Sequence, residues 1–458
     1  MHFGTDGVRG RANTELTPSF ALDLGRAAAQ VLCAYGLTSQ AVVGGDSRVS
    51  TPMLEAALIA GLACEGVDVL RLGLAPTPAV AFEGARLGAM GAVISASHNP
   101  YHDNGIKLFA AGGTKLADDV EARIEEAMRR LSTPTRDPGA INEHRSDHYV
   151  EHLIGSLQGR SLRGLRVVVD AANGAASHLV ADVFSRTGAH VVVINAAPNG
   201  VNINQGCGAT NPAGLQAVVT AERAHVGIAL DGDADRLIAV DEGGEIVDGD
   251  HIIAICARDM RERGVLNHDT VVVTVMTNLG FRLAMRSVGI EVVETAVGDR
   301  YVLEALAAGD FSLGGEQSGH VIFPDRATTG DGMLTAITLL DIVQRSGRQL
   351  SQLAAESMTQ LPQVLVNVRF AERRPDVAEL LATEIAAAAA ALGETGRILV
   401  RPSGTEPLLR VMVEAPTADL ARSTAEGLIA IVRAHPELSA SDSPTDGLSS
   451  SGGGDRTD

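Results

Sequence analysis

Apolar residues in this chain gather in short uninterrupted runs that end in small, polar or glycine-containing turns, with helix-like stretches between them. Residues 41–45 run into Asp46-Ser47-Arg48, residues 167–169 into Asp170-Ala171-Ala172-Asn173-Gly174, and residues 271–275 into Met276-Thr277-Asn278-Leu279-Gly280. Each turn is followed by a helical pattern and another apolar run. Strands covered on both faces are apolar throughout, and parallel neighbours need helical crossovers, so the recurrence predicts repeated βαβ units with mainly parallel sheets. Residues 363–435 break the pattern: strand-like runs at 364–370, 398–400 and 408–413 alternate with an Ala-rich helix through 386–391 and another over 418–433, as in a small α+β domain. Polar or Pro-containing breaks at 132–139, 248–251 and 361–362 give a partition into 1–152, 153–250, 251–361 and 362–437. From 438 to 458 the chain is mostly Ser, Gly, Asp and Thr, which cannot offset the entropy of ordering, and a disordered tail is expected.

Composition narrows the function classes. With 458 residues and 45% hydrophobic content the chain can bury several cores. A formal net charge of -19 repels polyanions and anionic membrane surfaces, and zero Trp with 3% aromatics leaves no stacking platform, so nucleic acid is excluded as a partner. An anionic small molecule would need a local cluster of Arg and Lys. No apolar span is long enough to cross a bilayer, and Asp6, Arg9 and Arg11 stand where a signal peptide needs its apolar run, so no membrane association and a cytoplasmic location are expected. Cys33, Cys64, Cys207 and Cys256 are widely spaced, which suits free thiols in a reducing compartment.

Four loops carry candidate chemistry. Residues 94–104 end an apolar strand in a hydroxyl-rich turn; small residues before Ser97 allow close backbone approach, Asn99-Pro100 forces a turn, and Lys107 follows. Ser97 is the candidate nucleophile or phosphoryl carrier, although a surface turn can share this composition. Asp231-Gly232-Asp233-Ala234-Asp235-Arg236 sets three carboxylates between apolar runs at 226–230 and 237–240. Alternate carboxylates can converge on a hard cation, and an oxygen-only set in a tight loop suits Mg²⁺. An EF-hand is rejected because Arg236 stands where its loop needs glycine. Arg401-Pro402-Ser403-Gly404-Thr405 and Arg410 offer guanidinium groups, hydroxyls and turn amides to a phosphate, without Walker spacing. In Gly314-Gly315-Glu316-Gln317-Ser318-Gly319-His320, Glu316 and Ser318 can hydrogen-bond sugar hydroxyls or an amine, a reading no stronger alone than a plain turn. Arg9, among glycines near the start, is a further anion contact.

In order and spacing these loops resemble the α-D-phosphohexomutase superfamily along all but the tail, and the wording Gly-Glu-Gln-Ser-Gly-His, the 276–280 turn and Arg-Val-Met-Val-Glu at 410–414 are most similar to its branch acting on glucosamine phosphates. The resemblance implies an α/β fold of four domains around a central cleft, three of them similar and the fourth a smaller α+β domain. It implies an isomerase that interconverts glucosamine 6-phosphate and glucosamine 1-phosphate through phosphoserine 97 and a 1,6-bisphosphate. That reaction would feed UDP-N-acetylglucosamine and cell-wall precursor synthesis. One Mg²⁺ is expected on Ser97, Asp231, Asp233 and Asp235, with glucosamine or glucose 1,6-bisphosphate as activator. Arg9 and Arg236 would neutralise the transferring group, and Glu316, Ser318 and His320 would recognise the sugar. Arg401, Ser403, Gly404, Thr405 and Arg410 would hold the substrate's phosphate. Lys107 is assigned general base, with His98 and His320 as rivals. The alternatives are mannose or glucose phosphate mutases of the same superfamily, a metal-dependent sugar phosphatase, or a non-catalytic sugar-phosphate sensor. The expected partner is a small sugar phosphate, and a homodimer is compatible with the reading.

Overall fold

The computed structural model describes residues 3–4, 7–34, 39–370, 372–374, 376–402, 407–435, 438 and 449–450. The chain divides into two compact units, residues 1–277 with 285–357, and residues 278–284 with 358–458.

The larger unit contains three sheets. The first has six strands in the order Val8–Arg11, Asp103–Phe109, Met90–Ile94, Gln40–Gly45, Asp68–Leu74, Ile141–Glu143. The second has five, Ile246–Val247, Leu237–Asp241, Val226–Leu230, Arg166–Asp170, His190–Ile194, and the third has four, Glu291–Thr295, Thr270–Thr274, Gly314–Gly315, Val321–Ile322. Each sheet keeps the expected parallel centre and leaves it through an antiparallel hairpin, Met90–Ile94 with Asp103–Phe109, Val226–Leu230 with Leu237–Asp241, and Gly314–Gly315 with Val321–Ile322, while Val8–Arg11 and Ile246–Val247 add further antiparallel edge strands. The three hairpin connections are the Ser97, aspartate and Glu316 loops. All three therefore leave the C-terminal end of a strand with a parallel neighbour, the end at which α/β sheets bind ligands.

Burial on both faces explains the unbroken apolar runs. In strand Gln40–Gly45, Val43 joins a core with Leu24, Leu54, Leu58 and Leu62 of helices Pro18–Ala34 and Thr51–Cys64. Its neighbour Val42 points the other way, to Val80 of helix Thr77–Leu87 and Phe109. Each such side chain, removed wholly from water, contributes roughly 1.5–3 kcal/mol.

The smaller unit is an antiparallel sheet in the order Arg397–Pro402, Leu408–Glu414, Gln363–Arg369, Ser449–Ser450. Val364, Val366 and Val368 alternate inward, and helix Ala418–Ala434 buries Ala421, Ala425, Leu428, Ile429 and Val432, so this strand and helix are amphipathic where the parallel strands are not. Glu414 is fully buried and accepts from the Leu279 backbone N–H at 2.9 Å and from the Arg397 guanidinium, which draws residues 278–284 into this unit although the sequence runs them on from a strand of the third sheet. Of the expected tail, the structure describes Leu438, which is buried, and Ser449–Ser450, paired with Leu365 and Val364; its other residues lie outside the described residues.

Candidate active site

Ser97 follows strand Met90–Ile94 and is buried, with a left-handed backbone (φ 50°) that a non-glycine residue adopts only when its surroundings enforce it. Those surroundings are specific. The Ser97 N–H donates to Ser95 Oγ at 2.9 Å, and Ser95 Oγ donates to Asp46 Oδ2 at 2.6 Å. The Ser97 carbonyl accepts from Arg48 and from Asn204 Nδ2, each at 2.9 Å. Arg48 is a fully buried guanidinium: it donates to Asp46 at 2.8 Å and to the carbonyls of Ser97, Asn99, Pro100 and Asp103, fixing both ends of the loop.

This frame aims Ser97 Oγ at the aspartate loop. The hydroxyl donates to Asp231 Oδ2 at 2.6 Å and lies 3.1 Å from His98 Nδ1. The approach depends on Gly232, where an added Cβ would stand 2.4 Å from the Ser97 carbonyl oxygen. Asp231, Asp233 and Asp235 are all buried, and each offers an oxygen within 4.8 Å of the others. Lys107, on strand Asp103–Phe109, donates to Asp233 at 2.9 Å and to Asp235 at 3.3 Å. Thr77, at the start of helix Thr77–Leu87, gives its hydroxyl to Asp233 Oδ2 at 2.7 Å and its N–H to the Asp233 carbonyl at 3.0 Å.

The electrostatics fit a divalent cation. Burial, then repulsion from Asp233 and Asp235, pushes the Asp231 carboxyl well above the usual range, so the cluster as it stands resists full ionisation. Burial works the same way on Asp235 but is outweighed by Lys107, His320 and Arg236, which hold it low. Asp233 Oδ1 is buried with no hydrogen-bond partner among the described residues, a free acceptor where a ligand oxygen is needed. Asp235 Oδ1 is likewise buried without a hydrogen-bond partner among the described residues, and three carboxylates with two orphaned acceptors suit a hard ion.

The Glu316 loop docks on the same ground. Its hairpin closes through Gly319 N–H to the Glu316 carbonyl and Glu316 N–H to the His320 carbonyl, both at 3.0 Å. Gly319 (φ 91°) lies against the strand that follows the aspartates; a Cβ there would be 2.0 Å from the Leu237 carbonyl. His320 Nδ1 is 3.7 Å from Asp235 and Nε2 3.7 Å from Asp299. Burial opposes its charge, yet Asp235, Asp299 and Glu316 push the ring up to about 9. The Gly330 N–H donates to Nε2 at 3.1 Å, which favours the neutral ring protonated at Nδ1, so the ring meets competing demands. His98 moves the other way: burial first, then Arg236 and Arg9, lower it. Ser318 is exposed at the hairpin tip, and the Gln317 amide donates to Asp248 at 3.3 Å.

Ser97, His98, Arg9, Lys107, Asp231, Asp233, Asp235, Arg236, Glu316 and His320 thus meet within the larger unit, from three sheets separated in sequence. In the smaller unit Arg401 and Arg410 are exposed and directly opposite one another across an antiparallel pair, a like-charge juxtaposition that an anion would relieve. Ser403, Gly404 and Thr405 lie outside the described residues. Sequence reasoning missed Arg48, Asp46, Thr77 and Asn204 as site residues. Asp46-Ser47-Arg48 was legible only as a turn; the available signal was that a polar triplet ends a strand parallel to the one leading to Ser97.

Comparison with known proteins identifies the family. Four domain models of phosphoglucomutase/phosphomannomutase match in order: α/β/α domain I over residues 1–135, domain II over 147–244, domain III over 248–361 and the C-terminal domain over 365–431. Over 94% of its length the chain is 55% identical to phosphoglucosamine mutase of Frankia alni and 53% identical to that of Rhodococcus opacus, covering 98% of each. A crystal structure of a phosphoglucomutase/phosphomannomutase family protein from Burkholderia thailandensis superposes with a TM-score of 0.81 at 26% identity, covering 97% of this chain and 98% of that one. The chain belongs to the phosphoglucomutase/phosphomannomutase family and, within it, to the phosphoglucosamine mutases. The resemblance read from the four loops is borne out. No helix among the described residues is long and apolar enough to cross a membrane.

Proposed function

We propose that this chain interconverts glucosamine 6-phosphate and glucosamine 1-phosphate by passing a phosphoryl group through Ser97. The observation that carries the reading is Ser97 Oγ, buried on a left-handed backbone and hydrogen-bonded at 2.6 Å to a triad of buried carboxylates. A structural serine has no use for that arrangement. Moving a phosphate between two hydroxyls of one sugar demands charge neutralisation, in-line positioning and proton transfer, and residues for each stand around Ser97.

In this reading phosphoserine 97 gives its phosphoryl group to the free hydroxyl of the bound sugar phosphate. The resulting 1,6-bisphosphate turns end for end, and Ser97 takes back the other phosphate. Arg9 and Arg236 neutralise charge at the transferring group. Lys107 is the proposed base for the sugar hydroxyl, a role that requires it to be neutral and released from its ion pairs with Asp233 and Asp235, while Asp231 and His98 stand within hydrogen-bond reach of the proton on unphosphorylated Ser97. Glu316, Ser318 and His320 read the sugar. Arg401, Ser403, Gly404, Thr405 and Arg410 hold whichever phosphate is not reacting. The ion is taken as Mg²⁺, held by Asp231, Asp233, Asp235 and a phosphoserine oxygen, where it would stabilise charge on the phosphoryl oxygens. Glucosamine or glucose 1,6-bisphosphate would load the serine initially, and the product would supply UDP-N-acetylglucosamine and peptidoglycan precursors in the cytoplasm.

The test is a coupled assay of the purified chain with glucosamine, glucose and mannose 6-phosphates. The proposal expects the highest kcat/KM with glucosamine 6-phosphate and formation of its 1-phosphate. Inorganic phosphate without any 1-phosphate would favour a phosphatase instead.

A further inference from the structure

A separate cavity of about 400 Å³ opens where helices Thr77–Leu87 and Asp147–Gly155 meet the 324–331 loop. None of the catalytic candidates above lines it. Its lining carries two guanidinium groups, Arg86 and Arg326, the imidazole of His152, and two carboxylates, Asp325 and Asp331. Arg326 is half-buried and has no carboxylate within 4 Å among the described residues; NH1 has only a long 3.4 Å bond to Thr338, and burial lowers its pKa. The guanidinium lies over the Phe323 ring, 5.7 Å from the centroid, and has no close carboxylate to neutralise it among the described residues. Arg86 also lines the cavity, held by the buried carboxylate of Glu83. His152 stacks on Phe82, with ring centroids 4.7 Å apart and an interplanar angle of 28°; its ring is hydrogen-bonded to the Arg326 backbone, and Nε2 is buried without a close hydrogen-bond partner among the described residues.

The wall of this cavity connects to the aspartate loop. Tyr149, fully buried, donates its hydroxyl to Asp331 Oδ2 at 2.9 Å, and Asp331 Oδ1 caps helix Gly332–Ser346 by accepting from the Leu334 N–H at 2.9 Å. The next N–H along, that of Gly332, donates at 3.0 Å to the carbonyl of Ala234, the residue between Asp233 and Asp235. A displacement of Asp331 is therefore one peptide away from the metal-binding carboxylates.

We propose that this cavity is an effector site for a small phosphate ester with free hydroxyl groups, and that its occupancy alters turnover through Asp331 and the 231–235 loop. The phosphate would lie on Arg326 and Arg86, a hydroxyl on His152 Nε2, and the carbon skeleton against Phe82 and Pro78. The kinetic part rests on the mutase reading, whereas the binding part does not.

Ribose 5-phosphate serves as the probe. It is titrated calorimetrically into the full chain, into Arg326→Met and into His152→Phe, which keeps the ring stack but lacks Nε2. The expected result is a binding event weakened at least tenfold in Arg326→Met and about fivefold in His152→Phe, with thermal midpoints within a few degrees of the parent. In mutase assays the probe should change kcat in the parent and leave only competition with substrate in Arg326→Met. Unchanged binding and kinetics in both variants would overturn the proposal, because every effect would then arise at the substrate site. Equal affinity for inorganic phosphate would also contradict it, since no hydroxyl would be recognised. Absence of mutase activity with the calorimetric result intact would overturn the functional reading and leave the site.

Discussion

Thr77→Val is the cleanest perturbation of the carboxylate cluster, because it keeps the side-chain shape and deletes one hydroxyl. That hydroxyl gives Asp233 Oδ2 a 2.7 Å hydrogen bond, while the Asp233 carbonyl keeps its bond from the residue 77 N–H whatever the side chain. A hydrogen bond to an ionised acceptor contributes about 1.5–3 kcal/mol. Lys107, 2.9 Å from the same oxygen, compensates in part, so the lower end applies. At about 1.4 kcal/mol per factor of ten, metal affinity should fall roughly 10–30-fold, within the range typical of lost outer-shell partners to metal ligands. Calorimetric titration of Mg²⁺, repeated with Mn²⁺ followed by electron paramagnetic resonance, measures the effect without turnover. Saturating Mg²⁺ should restore kcat. A dissociation constant within about twofold of the parent would refute the idea that Thr77 orients Asp233 toward the ion, and so would a kcat loss that metal cannot rescue.

Other residues give independent tests. Arg48→Met removes a fully buried guanidinium and strips a partner from buried Asp46, so urea unfolding should show a loss of about 3–5 kcal/mol; a change below about 1 kcal/mol would mean that the loop is held by other contacts. Lys107→Ala should lower kcat at least about a hundredfold if Lys107 is the base, and a loss within about threefold would remove it from that role. Burial pushes the Asp331 carboxyl up to about 6, so the folded chain binds this proton more tightly than the unfolded chain, whose value is near 3.9. The stabilisation is full below the unfolded value and is lost as pH rises through about 6, so Asp331→Asn should flatten the thermal midpoint between about pH 4 and 6. An unchanged slope would assign the pH dependence to other groups.

Much of this architecture could be read from the chain because its determinants are local. Runs such as 167–169 and 271–273 are apolar on both faces, and the carboxylates at 231, 233 and 235 carry their chemistry in their spacing. The antiparallel hairpins beside each parallel centre were less visible, since a two-residue strand such as Gly314–Gly315 has no periodicity to detect. The support of Ser97 was hidden for a different reason. Arg48 acts through carbonyls up to 55 residues away, Asn204 through one 107 residues away, and Thr77 through a carboxylate 156 residues away, contacts that only the folded chain creates. Asn278 and Leu279 look like the end of the third sheet's first turn, but their bonds to Leu361 and Glu414 place them with the C-terminal unit.

The most direct test of phosphoryl passage through Ser97 is intact-mass measurement of the parent and Ser97→Ala after incubation with glucosamine 1,6-bisphosphate and Mg²⁺. The account predicts one added phosphate on the parent, discharged by glucosamine 6-phosphate, and none on the variant. A variant that still acquires and discharges the phosphate would contradict it.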